Sequence, residues 1–265
     1  MGLVDFSQFV DELATASGQA ILPFFRSALA AEDKSRGGVF DPVTEADRAG
    51  EAVMRHLIKQ AFPTHGIVGE EFGAERADAE YVWVLDPVDG TRAFIAGLPL
   101  WGTLIGLTRN GAPVYGLMHQ PFTGERFMGD GGGSFSRLLR DGATLERRLR
   151  TRRCETLKDA ILSTTSPRLF EAEGREAYER VESEVHLARY GYDCYAYCML
   201  AAGHIDLVIE SGLKPYDIVA LIPIIEGAGG VVTSWDGGSA AHGGSILAAG
   251  NRRLHEAALA RLNRG

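Results

Sequence analysis

The sequence has few cysteines and no long apolar run. Its three cysteines, Cys154, Cys194 and Cys198, lack the C-x-x-C spacing of a zinc site, and their odd number disfavours a disulfide framework. We therefore expect a reducing, cytoplasmic environment. No window approaches about 18 consecutive apolar residues, and the first residues lack a basic segment followed by an apolar core. The sequence predicts neither a membrane-spanning helix nor an export signal.

Positive charge is also scarce. The 265 residues include 35 acidic and 27 basic side chains, a formal net charge of −8. Nucleic acids and anionic membranes are bound by clustered Lys and Arg, so we expect neither as a partner. The basic run from Arg137 to Arg153 is the exception. We interpret it as a solvated hairpin and linker, with an anionic partner as the alternative.

The motifs of two common enzyme classes are absent. No G-x-S-x-G elbow is present, which disfavours a serine hydrolase. The run Gly129–Gly133 lacks the Lys-Ser or Lys-Thr of a P-loop, so we interpret it as a loop between strands. His119, His186 and His204 are scattered without ligand spacing and are expected to be structural.

Hydrophobic patterns predict a layered α/β fold with two sheets. Helical spacing predicts a helix over residues 4–29, bent near Pro23, and a second helix from a capping box at Thr44 to about Phe62. A largely antiparallel sheet packed on these helices is expected from short β-forming runs at 66–69, 81–85, 102–108, 114–119 and 125–128. Further strands are predicted at 160–163, 206–209, 231–234 and 246–249, with helices over 194–202, 216–226 and 251–262. We expect one domain over 1–265, with lobes at about 1–145 and 150–265.

The most informative motif is Asp86-Pro87-Val88-Asp89-Gly90-Thr91, which follows the apolar run Tyr81–Leu85. Two carboxylates at the end of a buried strand repel each other unless a cation joins them, and oxygen ligands of this kind suit Mg²⁺. The tight turn aims the Val88 carbonyl at the same ion. Gly90 and Thr91 offer backbone N–H groups at a helix start, where phosphate is favoured. An ordinary surface turn is the alternative.

Other acids follow neighbouring elements. Glu70 closes the strand before Asp86 and is expected to complete the metal shell and hold a water, with Glu71 facing solvent. Spacing alone favours a structural role for Asp217 at a helix start, and it also explains Asp47 and Asp193 as helix-capping residues and Glu210 as a strand-end acid.

Taken together, these segments resemble the inositol monophosphatase family of metal-dependent phosphomonoesterases. The matching segments are Gly69-Glu70-Glu71, Asp86–Thr91, Tyr216-Asp217 and Glu226–Gly230, which span most of the chain. The resemblance implies an α/β/α/β/α sandwich, a homodimer and two or three Mg²⁺ ions. It implies that metal is held by Glu70, Asp86, the Val88 carbonyl, Asp89 and Asp217, that phosphate is bound by Asp89, Gly90 and Thr91, and that Asp47 and Thr91 help Glu70 position the attacking water.

Within the family, three segments look like the histidinol-phosphatase branch: Phe40–Asp47, Gly97–Thr103 and Tyr190–Asp193. This implies hydrolysis of L-histidinol phosphate in histidine biosynthesis, with Gly191, Tyr192, Asp193 and Glu210 at the substrate. Two carboxylates beside the leaving alcohol would favour a cation over a neutral polyol. The alternatives are hydrolysis of inositol 1-phosphate or another polyol phosphate and, more remotely, a noncatalytic metal-dependent binding protein.

Overall fold

The computed structural model describes residues 6–27, 32–33, 42–43, 45–140 and 142–263. Its helices are α1 (Phe6–Ile21), α2 (Glu45–Ala61), α3 (Thr91–Ile95), α4 (Ala172–Glu182), α5 (Cys194–Ala201), α6 (Pro215–Ile218), α7 (Leu221–Gly227) and α8 (Arg252–Leu262). Its strands are β1 (Glu32–Asp33), β2 (Pro42–Val43), β3 (Gly66–Gly69), β4 (Gly73–Glu75), β5 (Tyr81–Asp89), β6 (Gly102–Arg109), β7 (Ala112–Gln120), β8 (Glu125–Gly129), β9 (Ser134–Arg140), β10 (Ala143–Arg148), β11 (Ile161–Thr164), β12 (Leu187–Tyr190), β13 (Leu207–Leu213), β14 (Val231–Ser234) and β15 (Gly244–Ala249).

The first large sheet has the strand order β10-β9-β8-β7-β6-β5-β3-β4. Its pairs are antiparallel except for β3 and β5, which run parallel. Helices α1 and α2 cover one face, where Leu13, Met54, Trp83 and Ile105 are fully buried in one apolar cluster. The predicted largely antiparallel sheet on two helices is confirmed.

The second sheet has the order β12-β11-β13-β15-β14 and is mixed, because β11 lies parallel to both neighbours while β15 is antiparallel to β13 and β14. Helices α5 and α7 lie between the two sheets, in a core that joins Leu104 and Met118 of the first sheet to Val208 and Ile246 of the second. Helices α4 and α8 cover the outer face of the second sheet. The predicted α/β/α/β/α sandwich is confirmed.

The first sheet ends at Arg148 and the second begins at Ile161. This break supports the two lobes predicted at about 1–145 and 150–265, and that division stays a prediction. None of the helices in the described ranges combines the length and apolar character that a membrane span requires.

Several predicted boundaries were wrong. The first α-helix ends at Ile21 and passes into a 3₁₀ turn at Leu22–Phe24, where Pro23 is accommodated. The helix predicted over 216–226 is split into α6 and α7, since Pro223 has no N–H to donate to the carbonyl of Val219. Thr44 and its predicted cap lie outside the described residues. The basic run begins in the predicted hairpin, which β9 and β10 form.

Candidate metal and phosphate site

The acidic motif sits on a bulged strand end rather than in the predicted tight turn. Strand β5 continues to Asp89, pairing Asp86 with Leu104 and Asp89 with Gly102, and the register shifts between these two pairs. β-Bulges are common next to active sites, where they change the direction in which a side chain points. The backbone N–H of Val88 donates to Oδ1 of Asp86 at 3.1 Å, which fixes that carboxylate.

Helix α3 begins directly after the bulge. Gly90 precedes it with φ of 87°, and a Cβ there would lie 2.8 Å from the Leu100 carbonyl oxygen, so only glycine fits this corner. The hydroxyl of Thr91 donates to the Val88 carbonyl oxygen at 3.1 Å. This bond uses one lone pair of that carbonyl and leaves the second available.

The structure brings together three acids from distant segments. Asp86, Asp89 and Asp217 each offer a carboxylate oxygen, and these oxygens lie within 4.8 Å of one another. Asp217 also accepts the backbone N–H of Lys214 at 2.6 Å, so it caps α6 while facing the other two acids. The two interpretations of Asp217 are therefore compatible.

A second acidic group lies at the start of α2. Asp47, Glu70 and Glu71 offer carboxylate oxygens within 4.8 Å of one another. The prediction that Glu71 faces solvent was wrong, because its side chain is only 3% exposed. Arg48, which follows Asp47 on α2, forms an ion pair with Glu71, with its Nε 3.6 Å from the carboxylate.

Burial and mutual repulsion make these carboxylates unusually basic. Burial raises the pKa of Asp86 well above its ordinary value, and the charges of Glu70, Asp89, Asp217 and Asp47 raise it further. Burial likewise raises the pKa of Asp89, together with the charges of Asp193 and Asp217. Hard oxygen donors packed this closely fit a divalent cation such as Mg²⁺, whose charge would reverse both effects.

The other wall of the cleft carries two more acids. The cleft encloses about 400 Å³ and is lined by Glu70, Asp86, Val88, Asp89, Gly90, Thr91, Arg92, Thr164, Thr165, Ser166, Arg168, Leu169, Phe170, Asp193, Cys194, Tyr197, Glu210, Ser211, Gly212, Leu213 and Asp217. Glu210 accepts the backbone N–H of Thr165 at 2.8 Å, the Thr165 hydroxyl at 2.5 Å and the Tyr197 hydroxyl at 3.3 Å. Burial raises the pKa of Glu210 to about 7.

Asp193 is held in an uncommon backbone conformation, with φ of 44° and ψ of −133°. Side chains rarely adopt this region, and such strain is typical of functional sites. The structure does not support the alternative that Asp193 is only a helix cap, because its side chain accepts the hydroxyl of Thr165 at 3.3 Å and makes no capping hydrogen bond to α5. Burial raises the pKa of Asp193 to about 6, although the charge of Arg92 opposes that rise.

Two of the predicted substrate residues do not line the cleft. Gly191 and Tyr192 precede Asp193 but are not among the described residues that line the cleft. Gly191 has φ of 82° and donates its N–H to the Thr164 carbonyl, while the Tyr192 hydroxyl accepts Nε of Arg189 at 2.9 Å. Their role at the substrate stays a prediction.

Comparison with known proteins decides the family. The model of the inositol monophosphatase family matches residues 4–264. The chain belongs to this family. Its members are metal-dependent phosphatases, so this family member is a hydrolase whose acidic cleft corresponds to what such chemistry requires.

Relatives of this inositol monophosphatase family member differ in their named activities. The chain is 44% identical to the bifunctional phosphatase IMPL2, chloroplastic, of Arabidopsis thaliana, over 96% of this chain and 74% of that protein. It is 36% identical to a histidinol-phosphatase of Mycobacterium tuberculosis, over 84% of this chain and 85% of that one. An inositol monophosphatase structure from Zymomonas mobilis superposes with a TM-score of 0.84 at 39% identity, covering 99% of this chain and 100% of that chain.

The sequence did not identify Thr165, Tyr197 or Arg92 as residues of the site in this family member. Thr165 and Tyr197 meet Glu210 only because β11, α5 and β13 converge at one end of the second sheet. Arg92 directly follows Thr91, the last residue of the acidic motif. This position was the one signal in the sequence that could have identified Arg92 as part of the site. A hydroxyl in an apolar helix such as Tyr197 carries no sequence signature of its own.

Proposed function

We propose that the protein hydrolyses L-histidinol phosphate to L-histidinol and phosphate in a Mg²⁺-dependent reaction, as a step of histidine biosynthesis. The observation that carries this proposal is the placement of Asp193 and Glu210 in the same cleft as Asp86, Asp89 and Asp217. A metal-dependent phosphomonoesterase needs acids that hold cations beside the phosphate. Two further acids near the leaving group favour a substrate whose alcohol portion carries an ammonium and an imidazole.

The electrostatics of these two acids support a cationic substrate. With pKa values of about 6 for Asp193 and about 7 for Glu210, both groups are partly protonated near neutrality. A bound ammonium would favour their ionised forms and would form charge-assisted hydrogen bonds with them. A neutral polyol would gain neither effect and would leave the acids to hydrogen-bond as they do in the free protein.

We assign two or three Mg²⁺ ions to the ligands Glu70, Asp86, the Val88 carbonyl, Asp89 and Asp217. When bound, the ions would neutralise the carboxylates, polarise the phosphate and lower the pKa of a neighbouring water. The second lone pair of the Val88 carbonyl and the clustered oxygens of Asp86, Asp89 and Asp217 supply the donor set.

The protein's own groups then orient the reaction. The backbone N–H groups of Gly90 and Thr91 hold the phosphate, with glycine required at the sharp corner before α3, while Asp89 would act on it only as a metal ligand. Glu70, Asp47 and the Thr91 hydroxyl hold the water in line with the bond to the leaving alcohol. Displacement at phosphorus needs mainly positioning and charge stabilisation, so no covalent intermediate is required.

The second candidate substrate is inositol 1-phosphate or another polyol phosphate. Supporting it are the likeness to the inositol monophosphatase structure from Zymomonas mobilis and the hydroxyls of Thr165, Ser166 and Ser211 along the cleft. A noncatalytic metal-dependent binding protein is the remaining alternative. It has less support, because the proposed metal ligands Glu70, Asp86, Asp89 and Asp217 all line one cleft.

Parallel turnover of L-histidinol phosphate and inositol 1-phosphate with Mg²⁺ tests the substrate. We expect kcat/KM to be higher for L-histidinol phosphate, and a clear preference for inositol 1-phosphate would contradict the proposal. A homodimer in the cytoplasm is also proposed, from the family resemblance and from the three free cysteines. Light scattering and cell fractionation test these two points.

A further inference from the structure

Helix α2 carries a column of three charged side chains four residues apart, Asp47, Glu51 and Arg55. This spacing places them on one face of the helix. They are 2%, 0% and 8% exposed, which is unusual for charged residues. Asp47 belongs to the acidic group with Glu70 and Glu71. The proposed reaction leaves Glu51 and Arg55 without a role.

Glu51 holds the backbone that follows strand β3. Its Oε2 accepts the N–H of Glu71 at 2.7 Å, and its Oε1 accepts the N–H of Phe72 at 3.2 Å. The same Oε1 accepts Nε of Arg55 at 2.7 Å. The N–H of Glu70 donates to the Leu85 carbonyl at 3.2 Å, so consecutive N–H groups fix residues 70–72.

Arg55 extends this hold by one more residue. Its Nη2 donates to the carbonyl oxygen of Gly73, and its guanidinium lies 6.0 Å from the centre of the Phe72 ring. Glu75 is 4.0 Å from its Nη1. The Glu51–Arg55 pair therefore accepts hydrogen bonds from the loop through Glu51 and donates one to it through Arg55. These bonds together fix the position of the loop backbone.

Gly69 shows how closely the carboxylate and the loop are packed. A Cβ at this position would overlap the Glu51 carboxylate, with even its more distant oxygen only 2.8 Å away. No side chain is tolerated there without moving Glu51 or the strand. The glycine of the Gly69-Glu70-Glu71 segment is thus explained by the buried carboxylate behind it.

We propose that Glu51 is a positioning residue that sets the geometry of Glu70 and Glu71 for divalent-cation binding. Helix α2 then places one acid of the group directly, through Asp47, and the other two indirectly, through Glu51 and the loop backbone. The inference rests on the proposed function, in which Glu70 is a metal ligand. Outer groups that orient metal ligands typically contribute about 10–100-fold to metal affinity.

Calorimetric titration of the metal-free protein with Mg²⁺ tests the proposal without substrate. Glu51→Gln keeps the side-chain volume but replaces an acceptor by a donor, opposing one backbone N–H. We expect it to weaken Mg²⁺ binding by about tenfold or more. A rise in the Mg²⁺ concentration needed for half-maximal phosphate release should accompany this loss.

Asp206→Asn is the matched control, because Asp206 is also a fully buried carboxylate paired with an arginine and a backbone N–H. Arg152 Nε donates to it at 3.0 Å and Ile161 N at 2.8 Å, and it does not line the cleft. We expect this variant to be destabilised while binding Mg²⁺ within about twofold of the parent. Thermal unfolding of both variants shows whether they lose similar amounts of stability.

Parent-like Mg²⁺ affinity in Glu51→Gln, or an equal loss in Asp206→Asn, would overturn the positioning role. If Glu51→Gln does not fold, Arg55→Gln tests the same hold from the loop side, and parent-like affinity in that variant is equally contradictory. The proposed function fails separately, if the parent protein itself neither binds Mg²⁺ nor releases phosphate.

Discussion

The backbone N–H of Cys194 donates to Oδ2 of Asp89 at 2.7 Å, although the two residues are 105 positions apart in the chain. This bond joins the end of β5 in the first sheet to the start of α5 between the sheets. It fixes one oxygen of Asp89 and places Asp193, the residue before Cys194, beside the acidic motif. Asp86, Asp89 and Asp217 therefore share one cleft with Asp193.

Replacing Asp86 by Asn tests the enzyme assignment. Asp86 is 2% exposed and lies close to both Asp89 and Asp217, so loss of its charge should weaken the proposed cation site. We expect Mg²⁺-dependent phosphate release to fall by about 100-fold or more. Glu80→Gln, which alters a surface acid paired with Arg109, serves as the control and should retain the parent rate. Undiminished release by the Asp86 variant would contradict the role assigned to Asp86.

Replacing Asp193 by Asn tests selectivity separately from chemistry. The substitution removes a negative charge near the proposed leaving group and keeps a side chain of similar size. We expect KM for L-histidinol phosphate to rise about tenfold, the loss of one charge-assisted hydrogen bond, while hydrolysis of a generic aryl phosphate is largely kept. Equal losses on both substrates would mean that Asp193 has no selective role.

The dependence of stability on Mg²⁺ should change with pH. The raised pKa values of Asp86 and Asp89 mean that the metal-free folded protein retains protons that the unfolded chain has lost. This contribution to stability is present at low pH and is lost as pH rises through the raised values. Mg²⁺ replaces those protons, so its stabilisation should grow with pH.

Thermal unfolding with and without Mg²⁺, at one acidic and one alkaline pH, checks this expectation. We expect the Mg²⁺-induced rise in Tm to be larger at the higher pH. Identical increments at the two pH values would show that binding displaces no protons.

His119 should make the fold sensitive to acid independently of the cleft. Burial and the charge of Arg126 lower its pKa to about 4 from an ordinary 6.5. The contribution of neutral, buried His119 to stability is fully present above its ordinary pKa of 6.5. It is lost as pH falls toward the lowered pKa of about 4, by about 3 kcal/mol in total. Urea unfolding between these pH values should show a smaller loss for His119→Gln. A variant with the parent's pH dependence would assign the effect to other groups.

Much of the layered fold was predictable because its central elements have strong hydrophobic patterns. The runs that became β5 and β6 are almost wholly buried, so their composition identified them. Elements with little buried surface were given no bounds from the sequence. Strand β10 is exposed at every position, and α4 buries only Ala177, Tyr178 and Val181. Such elements are held by their neighbours and leave a weak pattern in the sequence.

The predicted metal ligands Asp86, Asp89 and Asp217 converge as expected, while details of the site depended on tertiary contacts. The side chain of Glu71 is 3% exposed and pairs with Arg48 on a separate helix, which no local pattern encodes. The strand bulge at Asp86–Asp89 replaced a predicted turn because Gly102 and Leu104 of β6 pair with it. Pairing partners of this kind are known only once the sheet is assembled.

Phosphate release from L-histidinol phosphate, measured after divalent cations are removed and as Mg²⁺ is returned, tests the central claim most directly. The account predicts that stripping abolishes release and that Mg²⁺ restores it in a saturable manner. Release that continues unchanged in the stripped protein would contradict it, because the clustered carboxylates would then have no cation-binding task in the reaction.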